Sequence, residues 1–350
     1  MKFIHIADVH LGVHPDAGTA YTEKRPKEIW DTFERIIGIC QKEQTDLLLI
    51  AGDLFHRQPL LRELKEVNYL FSALTHTKVV LIAGNHDYIR RDSYYPTFPW
   101  SENVRPLFGS KIECVEFEEL RTAVYGLSYH SREITEPLYN TATPEGRQRY
   151  ELLLAHGGDE KHIPVDWERL DCLGYSYVAF GHIHKPQAVR RNRILYAGAP
   201  EPTDRNDTGP HGYVKGEITE KGVHVRWFPC ASREYIHAEI PVDEDDTAGS
   251  VKKKIREYIN EHGNENIYKI TLQGVRNREV CFDMMRTDTD GNVLEILDET
   301  RPPYDFERLY RENAGNIIGR YIERIEGCGR DSETYQALCE GVDALMKNRR

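Results

Sequence analysis

Val79-Val80-Leu81-Ile82-Ala83-Gly84-Asn85-His86-Asp87 is the stretch on which the fold turns. Its apolar, partly β-branched opening has the length and composition of a buried strand. Gly84 lets the backbone turn tightly where the strand stops. Asn85, His86 and Asp87 follow at once, and each can ligate a metal or move a proton.

The pattern recurs along the chain. Phe3-Ile4-His5-Ile6-Ala7 runs into Asp8-x-His10, and Leu47-Leu48-Leu49-Ile50-Ala51-Gly52 runs into Asp53, with His56 three residues on. Leu152-Leu153-Leu154-Ala155 runs into His156-Gly157, and Tyr177-Val178-Ala179-Phe180-Gly181 into His182-x-His184. In open α/β sheets ligands bind beyond the carboxyl ends of the strands, so these clusters are expected to meet on one edge as a two-metal site. Asp53, after the second strand, is the candidate bridging carboxylate, with Asp8 and His10 on one side and Asn85 on the other. His156, His182 and His184 supply nitrogen donors. His5 points opposite to its strand neighbours and is read as structural.

Composition bounds the alternatives. The 350 residues are enough for one large domain and a smaller one, and 39% apolar with 29% charged residues suits a soluble globular enzyme. With 57 acidic and 46 basic residues the net charge is −11, which argues against a surface coated in basic groups for nonspecific nucleic-acid binding. Seven widely spaced cysteines without a C-x-x-C pattern argue against a disulfide framework or a cysteine zinc site. The first strand begins at the N-terminus, no apolar run approaches ~20 residues, and the expected location is the cytoplasm, away from any membrane.

The remaining chain alternates helix and strand in a way that implies a parallel sheet. Helices are expected over Glu28–Gln44, after a polar loop with Lys24, Arg25 and Lys27, and over about Leu60–Thr75. Tyr88 to Phe108, rich in aromatics, arginine and proline, reads as a structured loop. Strands at Ile194–Ala197, Gly212–Ile218 and Val223–Phe228 are expected to finish a second sheet. Further strands near Ile267–Leu272 and Val293–Leu297 flank Glu279–Arg286 in a small α/β module. Two tail helices, Asp305–Ile325 and Ser332–Lys347, are expected with a break at Gly327-Cys328-Gly329. The boundaries expected are residues 1–232, 233–302 and 303–350.

The ordered set D-x-H, G-D, G-N-H-D, H-G and G-H-x-H resembles the calcineurin-like metallophosphoesterase superfamily. The longer forms, Ile6-Ala7-Asp8-Val9-His10-Leu11-Gly12, Gly52-Asp53-Leu54-Phe55-His56 and Gly84-Asn85-His86-Asp87, are similar to the SbcD-type DNA repair nucleases. The resemblance implies a four-layer αββα sandwich with a small α/β second module and a helical tail. It implies Asp8, His10, Asp53 and His184 on one metal and Asp53, Asn85, His156 and His182 on the other. His86 would protonate the leaving oxygen or stabilise the transition state, oriented by Asp87, with His56 as an auxiliary catalytic residue. The nucleophile would be a water activated by the ions. N/O donors are common to Mn, Fe, Zn and Co, and the resemblance implies two manganese ions. It also implies a homodimer, and C-terminal helices that dock an SbcC-type coiled-coil ATPase.

Arg57, Arg90, Arg91, Lys185 and Arg190 follow the motif blocks closely and are the candidates for holding a DNA backbone. The apolar stripe Phe306, Leu309, Tyr310, Ile317, Ile318, Tyr321, Ile322 and Ile325 fits either partner docking or packing on its own domain. The reading is therefore a two-metal DNA nuclease, an exonuclease with endonuclease capability acting in DNA repair. Two alternatives stay open: a phosphoesterase of nucleotides or small phosphodiesters, and a DNA-end-binding scaffold subunit of an ATPase complex.

Overall fold

The computed structural model describes residues 1–277, 280, 282, 291–301, 303–325 and 333–347. In chain order the first elements are β1 (Lys2–Ile6), α1 (Lys24–Glu43), β2 (Leu47–Ala51), α2 (Leu61–Ser72), β3 (Lys78–Ile82), β4 (Val104–Pro106), β5 (Glu113–Phe117), β6 (Thr122–Gly126), β7 (Tyr150–His156), α3 (Trp167–Cys172) and β8 (Tyr177–Gly181). Then come β9 (Gln187–Arg190), β10 (Ile194–Tyr196), β11 (Gly212–Thr219), β12 (Gly222–Pro229), β13 (Tyr235–Val242), α4 (Ala248–His262), β14 (Ile267–Gly274) and β15 (Val293–Asp298). The tail holds α5 (Phe306–Asn313), α6 (Ile317–Ile325) and α7 (Glu333–Lys347).

Strand alternation builds four layers. One six-stranded sheet has the order β12-β11-β1-β2-β3-β4 and the other β5-β6-β7-β8-β10-β9. Along β1 and β2, Ile4, Ile6, Leu48 and Ile50 face outward onto Ile29, Phe33 and Ile36 of α1 and Leu64 and Val67 of α2. Their neighbours Phe3, Leu47 and Leu49 face inward and meet Val124, Leu152, Leu154 and Ala179 of the second sheet. The outer face of that sheet carries Tyr125, Leu153, Val178 and Phe180, which pack with Leu170 of α3 and with Trp167. The chain is an αββα sandwich. Strands β1 to β4 run parallel, as do β6, β7, β8 and β10, so the carboxyl ends of both parallel runs carry the polar clusters.

Several expectations change. The β11–β12 hairpin completes the first sheet rather than the second, because β11 pairs antiparallel with β1. β10 does extend the second sheet, but parallel to β8, with β9 as its antiparallel edge. The aromatic loop contains a short 3₁₀ turn, Tyr95–Thr97, and the edge strand β4. The helix α1 starts at Lys24, and Arg25, read as part of a polar loop, is fully buried. Its guanidinium is paired with Glu28 at 2.7 Å and Glu201 at 3.0 Å.

Contacts divide the chain into two compact units, the first formed chiefly by Met1–His237 and the second by Ala238–His262, Ile270–Thr289 and Glu295–Arg350. A three-stranded sheet has the order β13-β14-β15, and α4 buries Val251, Ile255 and Ile259. The single helix expected over Asp305–Ile325 is two, α5 and α6, separated at Ala314–Asn316. Ile318, Ile322, Leu338 and Val342 form a core among the tail helices, with Phe306, Leu309, Tyr310, Tyr321 and Ile325 packed on it. Most of the apolar stripe is thus consumed inside the tail, while Ile317 stays 67% exposed. The break expected at Gly327-Cys328-Gly329 lies outside the described residues, as does Glu279–Arg286 apart from positions 280 and 282. Among the described residues no helix is long and apolar enough to cross a membrane.

His5 shows how the inner layer treats a polar group. Its ring is fully buried; Nε2 donates to the Phe180 carbonyl at 3.1 Å and Nδ1 accepts from the Tyr177 hydroxyl at 2.9 Å. Both nitrogens are satisfied in the neutral form. Burial lowers its pKa to about 3, against the opposing pull of the Phe180 carbonyl. Below its ordinary value of 6.5 the unfolded chain binds a proton that the folded chain refuses, so folding stability falls as pH drops through that window. From about pH 7.5 to about pH 5.5 this one histidine should cost about 1.4 kcal/mol. Urea unfolding in chelator should show a smaller acid destabilisation in His5→Gln by that amount; equal pH slopes would disprove it.

Candidate metal centre

The site forms at the carboxyl ends of β1, β2 and β3 in one sheet and of β7 and β8 in the other. Asp8, Asp53, His10 and His156 are almost wholly buried there. Asp8 accepts the backbone N–H of His182 on both oxygens at 2.9 Å, and Asp53 Oδ1 accepts the N–H of His86 at 2.9 Å. The Asp53 Oδ2 atom lies 3.5 Å from His156 Nε2 and 3.9 Å from His10 Nε2, between two groups of donors. On one side His10 Nε2 and His184 Nε2 stand 3.1 Å apart. On the other, Asn85 Oδ1 is 2.9 Å from His156 Nε2 and 3.2 Å from His182 Nδ1.

Such convergence demands close backbone approach. A Cβ on Gly84 would lie 2.2 Å from Asp53 Oδ1, and one on Gly52 would lie 2.4 Å from His156 Nδ1. Asp8, His10, Asp53 and His182 all adopt positive φ, of 52°, 51°, 49° and 101°. Strain of this kind costs on the order of 1–3 kcal/mol per residue and collects where geometry is imposed by function.

The electrostatics describe a pocket short of positive charge. Burial pushes the Asp8 carboxyl up to about 6, with His156 and His184 pulling against it. Burial likewise opposes ionisation of Asp53, but His156, His10 and His86 outweigh it and hold this carboxyl far below the usual range. Burial disfavours a charged His156 too; Asp53 and Asp8 prevail and raise it to about 9. A proton shared among buried acids and imidazoles is the group that a cation displaces on binding. Burial, followed by the charge of His156, lowers His182 to about 4 and leaves a neutral nitrogen donor.

The donor set fits divalent cations. His184 Nδ1 donates to Asp207 Oδ2 at 2.9 Å, so its Nε2 presents a bare lone pair toward His10 Nε2. Two nitrogens bound to one ion at about 2.1 Å stand about 3 Å apart at right angles and about 3.4 Å apart in a tetrahedron, so a spacing of 3.1 Å suits a shared ion. The His/Asp groups able to hold an ion here include Asp8-His10-His184 and Asp8-Asp53-His156.

The structure brings every expected metal donor together and changes the role of one neighbour. Asp87, expected to orient His86, directs both oxygens elsewhere: they accept from Gly84 N–H at 2.8 Å, Phe55 N–H at 3.1 Å and the Tyr95 hydroxyl at 2.8 Å. Burial, then the charge of Asp53, raises its pKa to about 7. The His86 ring instead lies with Nδ1 3.3 Å from the His56 carbonyl, and its centroid is 4.8 Å from His10 and 5.1 Å from His56. His56 Nδ1 is 3.4 Å from His10 Nδ1.

A cleft of ≈ 630 Å³ opens beside the site, lined by His56, Asn85, His86, Tyr88 and His162 together with Arg57, Arg90 and Arg132 and one acid, Glu133. Arg57 is paired with Glu63 and Arg90 with Asp92, whereas Arg132 has no acidic partner among the described residues. Arg91, Lys185 and Arg190 are absent from the described lining, and Arg190 lies 3.5 Å from Asp171. Sequence reasoning missed Arg132, and also Asp159, whose Oδ2 sits 2.7 Å from His182 Nε2, and Asp207. Asp159 follows the His156-Gly157 block by two residues, a signal that was present; Asp207 is in an unpatterned loop.

Comparison with known proteins agrees with this geometry. The calcineurin-like phosphoesterase family matches residues 1–186. The chain belongs to that family. A DNA double-strand break repair protein Mre11 of Sulfolobus acidocaldarius is 30% identical over 378 aligned positions, 99% of this chain and 90% of that protein. A protein of the same description from Methanocaldococcus jannaschii is 32% identical over 219 positions, and the match spans 59% of this chain and 58% of its relative. An uncharacterized metallophosphoesterase, YhaO, of Bacillus subtilis is 29% identical over 244 positions, 63% of this chain and 58% of the relative. The phosphoesterase match runs from β1 to just beyond His184 and so includes every donor described above.

The glycine contacts make a test. Gly84→Ala should lower divalent-cation affinity at least about tenfold, as loss of a supporting contact typically does. Gly38→Ala, in α1 with open space around it, should leave affinity unchanged. Titration calorimetry with manganese reads both, and equal affinities would show that the tight Gly84 turn is dispensable.

Proposed function

We propose that this chain is a metal-dependent phosphodiesterase that cuts DNA, an exonuclease with endonuclease capability working in DNA repair. The observation that carries it is the convergence of two donor groups on Asp53, with the arginine-lined cleft beside them. The printed names of the Mre11 relatives support DNA as substrate. In this reading Asp8, His10, Asp53 and His184 hold one ion and Asp53, Asn85, His156 and His182 the other, both manganese. When bound, such ions polarise the phosphoryl oxygen and lower the pKa of a coordinated water.

The chain's own residues do the rest. Asp53 Oδ2 faces both donor groups, and its Oδ1 ties it to the loop that carries His86. The His56 carbonyl accepts from His86 Nδ1, which leaves Nε2 to face the leaving oxygen; the imidazolium form, with hydrogen on both nitrogens, delivers the Nε2 proton and becomes the neutral ring that keeps the bond to His56. Asp87 fixes the turn around Gly84 and the Phe55 backbone rather than the ring. Arg132, with Arg57 and Arg90 turned partly to carboxylates, gives the cleft positive charge for a phosphate backbone.

Residues 1–232 are the nuclease domain in this reading, 233–302 a capping or DNA-binding module, and 303–350 the region that meets an SbcC-type coiled-coil ATPase. The protein works as a homodimer in the cytoplasm. Sedimentation of the chain alone and with the coiled-coil base of such an ATPase should show a dimer and then a larger complex; a monomer that ignores the ATPase would remove both assignments.

The activity is tested with manganese-dependent degradation of linear duplex DNA beside hydrolysis of a small chromogenic phosphodiester. His86→Ala should lower both by about 10²–10⁴-fold while leaving manganese binding intact. Arg132→Glu should weaken DNA cleavage and its salt dependence and spare the small diester. Turnover of the small diester without DNA cleavage would replace the nuclease by a phosphodiesterase of nucleotides.

A further inference from the structure

The motif His182-Ile183-His184 sends two imidazoles toward different donor groups. Its residues contact the site through opposite ring atoms. His182 turns Nδ1 toward Asn85 Oδ1 at 3.2 Å, and His184 turns Nε2 toward His10 Nε2 at 3.1 Å. The far nitrogen of each ring meets an aspartate. Asp159 Oδ2 lies 2.7 Å from His182 Nε2, and Asp207 Oδ2 lies 2.9 Å from His184 Nδ1.

We propose that Asp159 and Asp207 are positioning residues that commit His182 to the metal centre through Nδ1 and His184 through Nε2. The inference rests on the ligand assignment above. A neutral imidazole has one N–H and one lone pair, and a carboxylate only accepts, so the nitrogen beside each aspartate must carry the hydrogen. The opposite nitrogen is then left bare for a cation. Ligating histidines commonly donate their other N–H to a carboxylate, and loss of that partner lowers metal affinity about 10–100-fold.

Both aspartates are themselves held. Asp159 Oδ1 accepts the backbone N–H groups of Lys161 at 2.8 Å and His162 at 2.9 Å. The His162 Nδ1 atom lies 2.8 and 2.9 Å from the two oxygens, and the His162 ring is 4.3 Å from that of His182. The carboxylate therefore sits on a tight loop with Oδ2 aimed at His182. Asp207 is buried, accepts from Thr203 N–H at 3.3 Å, and stands beside His211, whose two ring nitrogens lie 3.1 Å from the Ala199 and Asp207 carbonyls. Asp159 meets the donor groups at the far nitrogen of His182, and Asp207 at the far nitrogen of His184. Each acts through the ring between.

The anchoring of Asp159 gives an unusual test. In Asp159→Asn the single carbonyl oxygen is claimed by the two backbone N–H groups at the Oδ1 position. The amide NH₂ then faces His182 Nε2 and forces the wrong tautomer, with hydrogen on Nδ1. In Asp159→Ala the ring is merely released. Asparagine should therefore be at least as damaging as alanine, by at least about tenfold in affinity for one ion. A role limited to holding the loop predicts the reverse order, since asparagine keeps the backbone acceptor.

Manganese titration calorimetry on the full chain reads affinity and stoichiometry for wild type, Asp159→Asn, Asp159→Ala and Asp207→Ala. Asp159 and Asp207 variants should each weaken one of two ions and spare the other. ¹⁵N histidine spectra of the metal-free chain should show His182 as the Nε2–H tautomer and His184 as the Nδ1–H tautomer. Asp159→Asn should convert the first. Two ions bound with wild-type affinity in the variants, or matching tautomers at both histidines, would overturn the positioning role while the metal assignment stands. Wild type that binds no manganese would overturn the ligand assignment itself, and the tautomer spectra would still report on the aspartates independently.

Discussion

The burial of Asp8 and Asp53 among histidines is the constraint on which this structure depends. A carboxylate taken from water without compensation costs several kcal/mol, more than most contacts return. Here compensation comes from backbone N–H groups of His182 and His86 and from the imidazoles around them. Those donors reach the acids only because Gly52 and Gly84 let strands and side chains pass at distances that any Cβ would block. The positive φ values at Asp8, His10, Asp53 and His182 belong to the same compression. Strain of that size persists where the surrounding core over-determines it, and the inner layer of Phe3, Leu47, Leu49, Leu152 and Leu154 does so.

Neither sheet owns the centre. Asp8, His10, Asp53, Asn85 and His86 follow strands of one sheet; His156, His182 and His184 follow strands of the other. The contact between His156 Nδ1 and the Ala51 carbonyl, 2.9 Å across the interior, ties the two together at the level of the donors. Packing of the two sheets therefore also brings the donors together, at the edge of the apolar layer between them. In the cleft Arg57 and Arg90 are already paired with acids, and Glu133 lines it next to Arg132.

How much could be read beforehand follows from the range over which each feature acts. Strand ends and their donors are local: a run of five apolar residues, a glycine, then Asp, Asn or His. They were legible at all five motif blocks, as were α1, α2 and the αββα class. The sheet of the β11–β12 hairpin is not legible, because pairing with β1 joins residues over 200 positions apart and nothing in the alternation of Gly212–Ile218 names its partner. Arg25 sits in a stretch that reads as a polar loop, and nothing local names Glu201 as an acid that neutralises it. The period of the tail stripe says only that a helix has a buried face, and here the tail helices bury most of it among themselves.

The sequence by itself determined which side chains stand at the strand ends and that they would gather on one edge, because side-chain period and chain direction in a parallel sheet are properties of the local backbone. Only the tertiary structure decided how each donor is used. It turned Asp87 toward Tyr95 and Phe55, set Asp159 and Asp207 behind the two histidines of one motif, and faced those histidines inward through different atoms. Ring orientation is a torsion about a single bond, free in the sequence and fixed by whichever partner the fold brings to the far nitrogen.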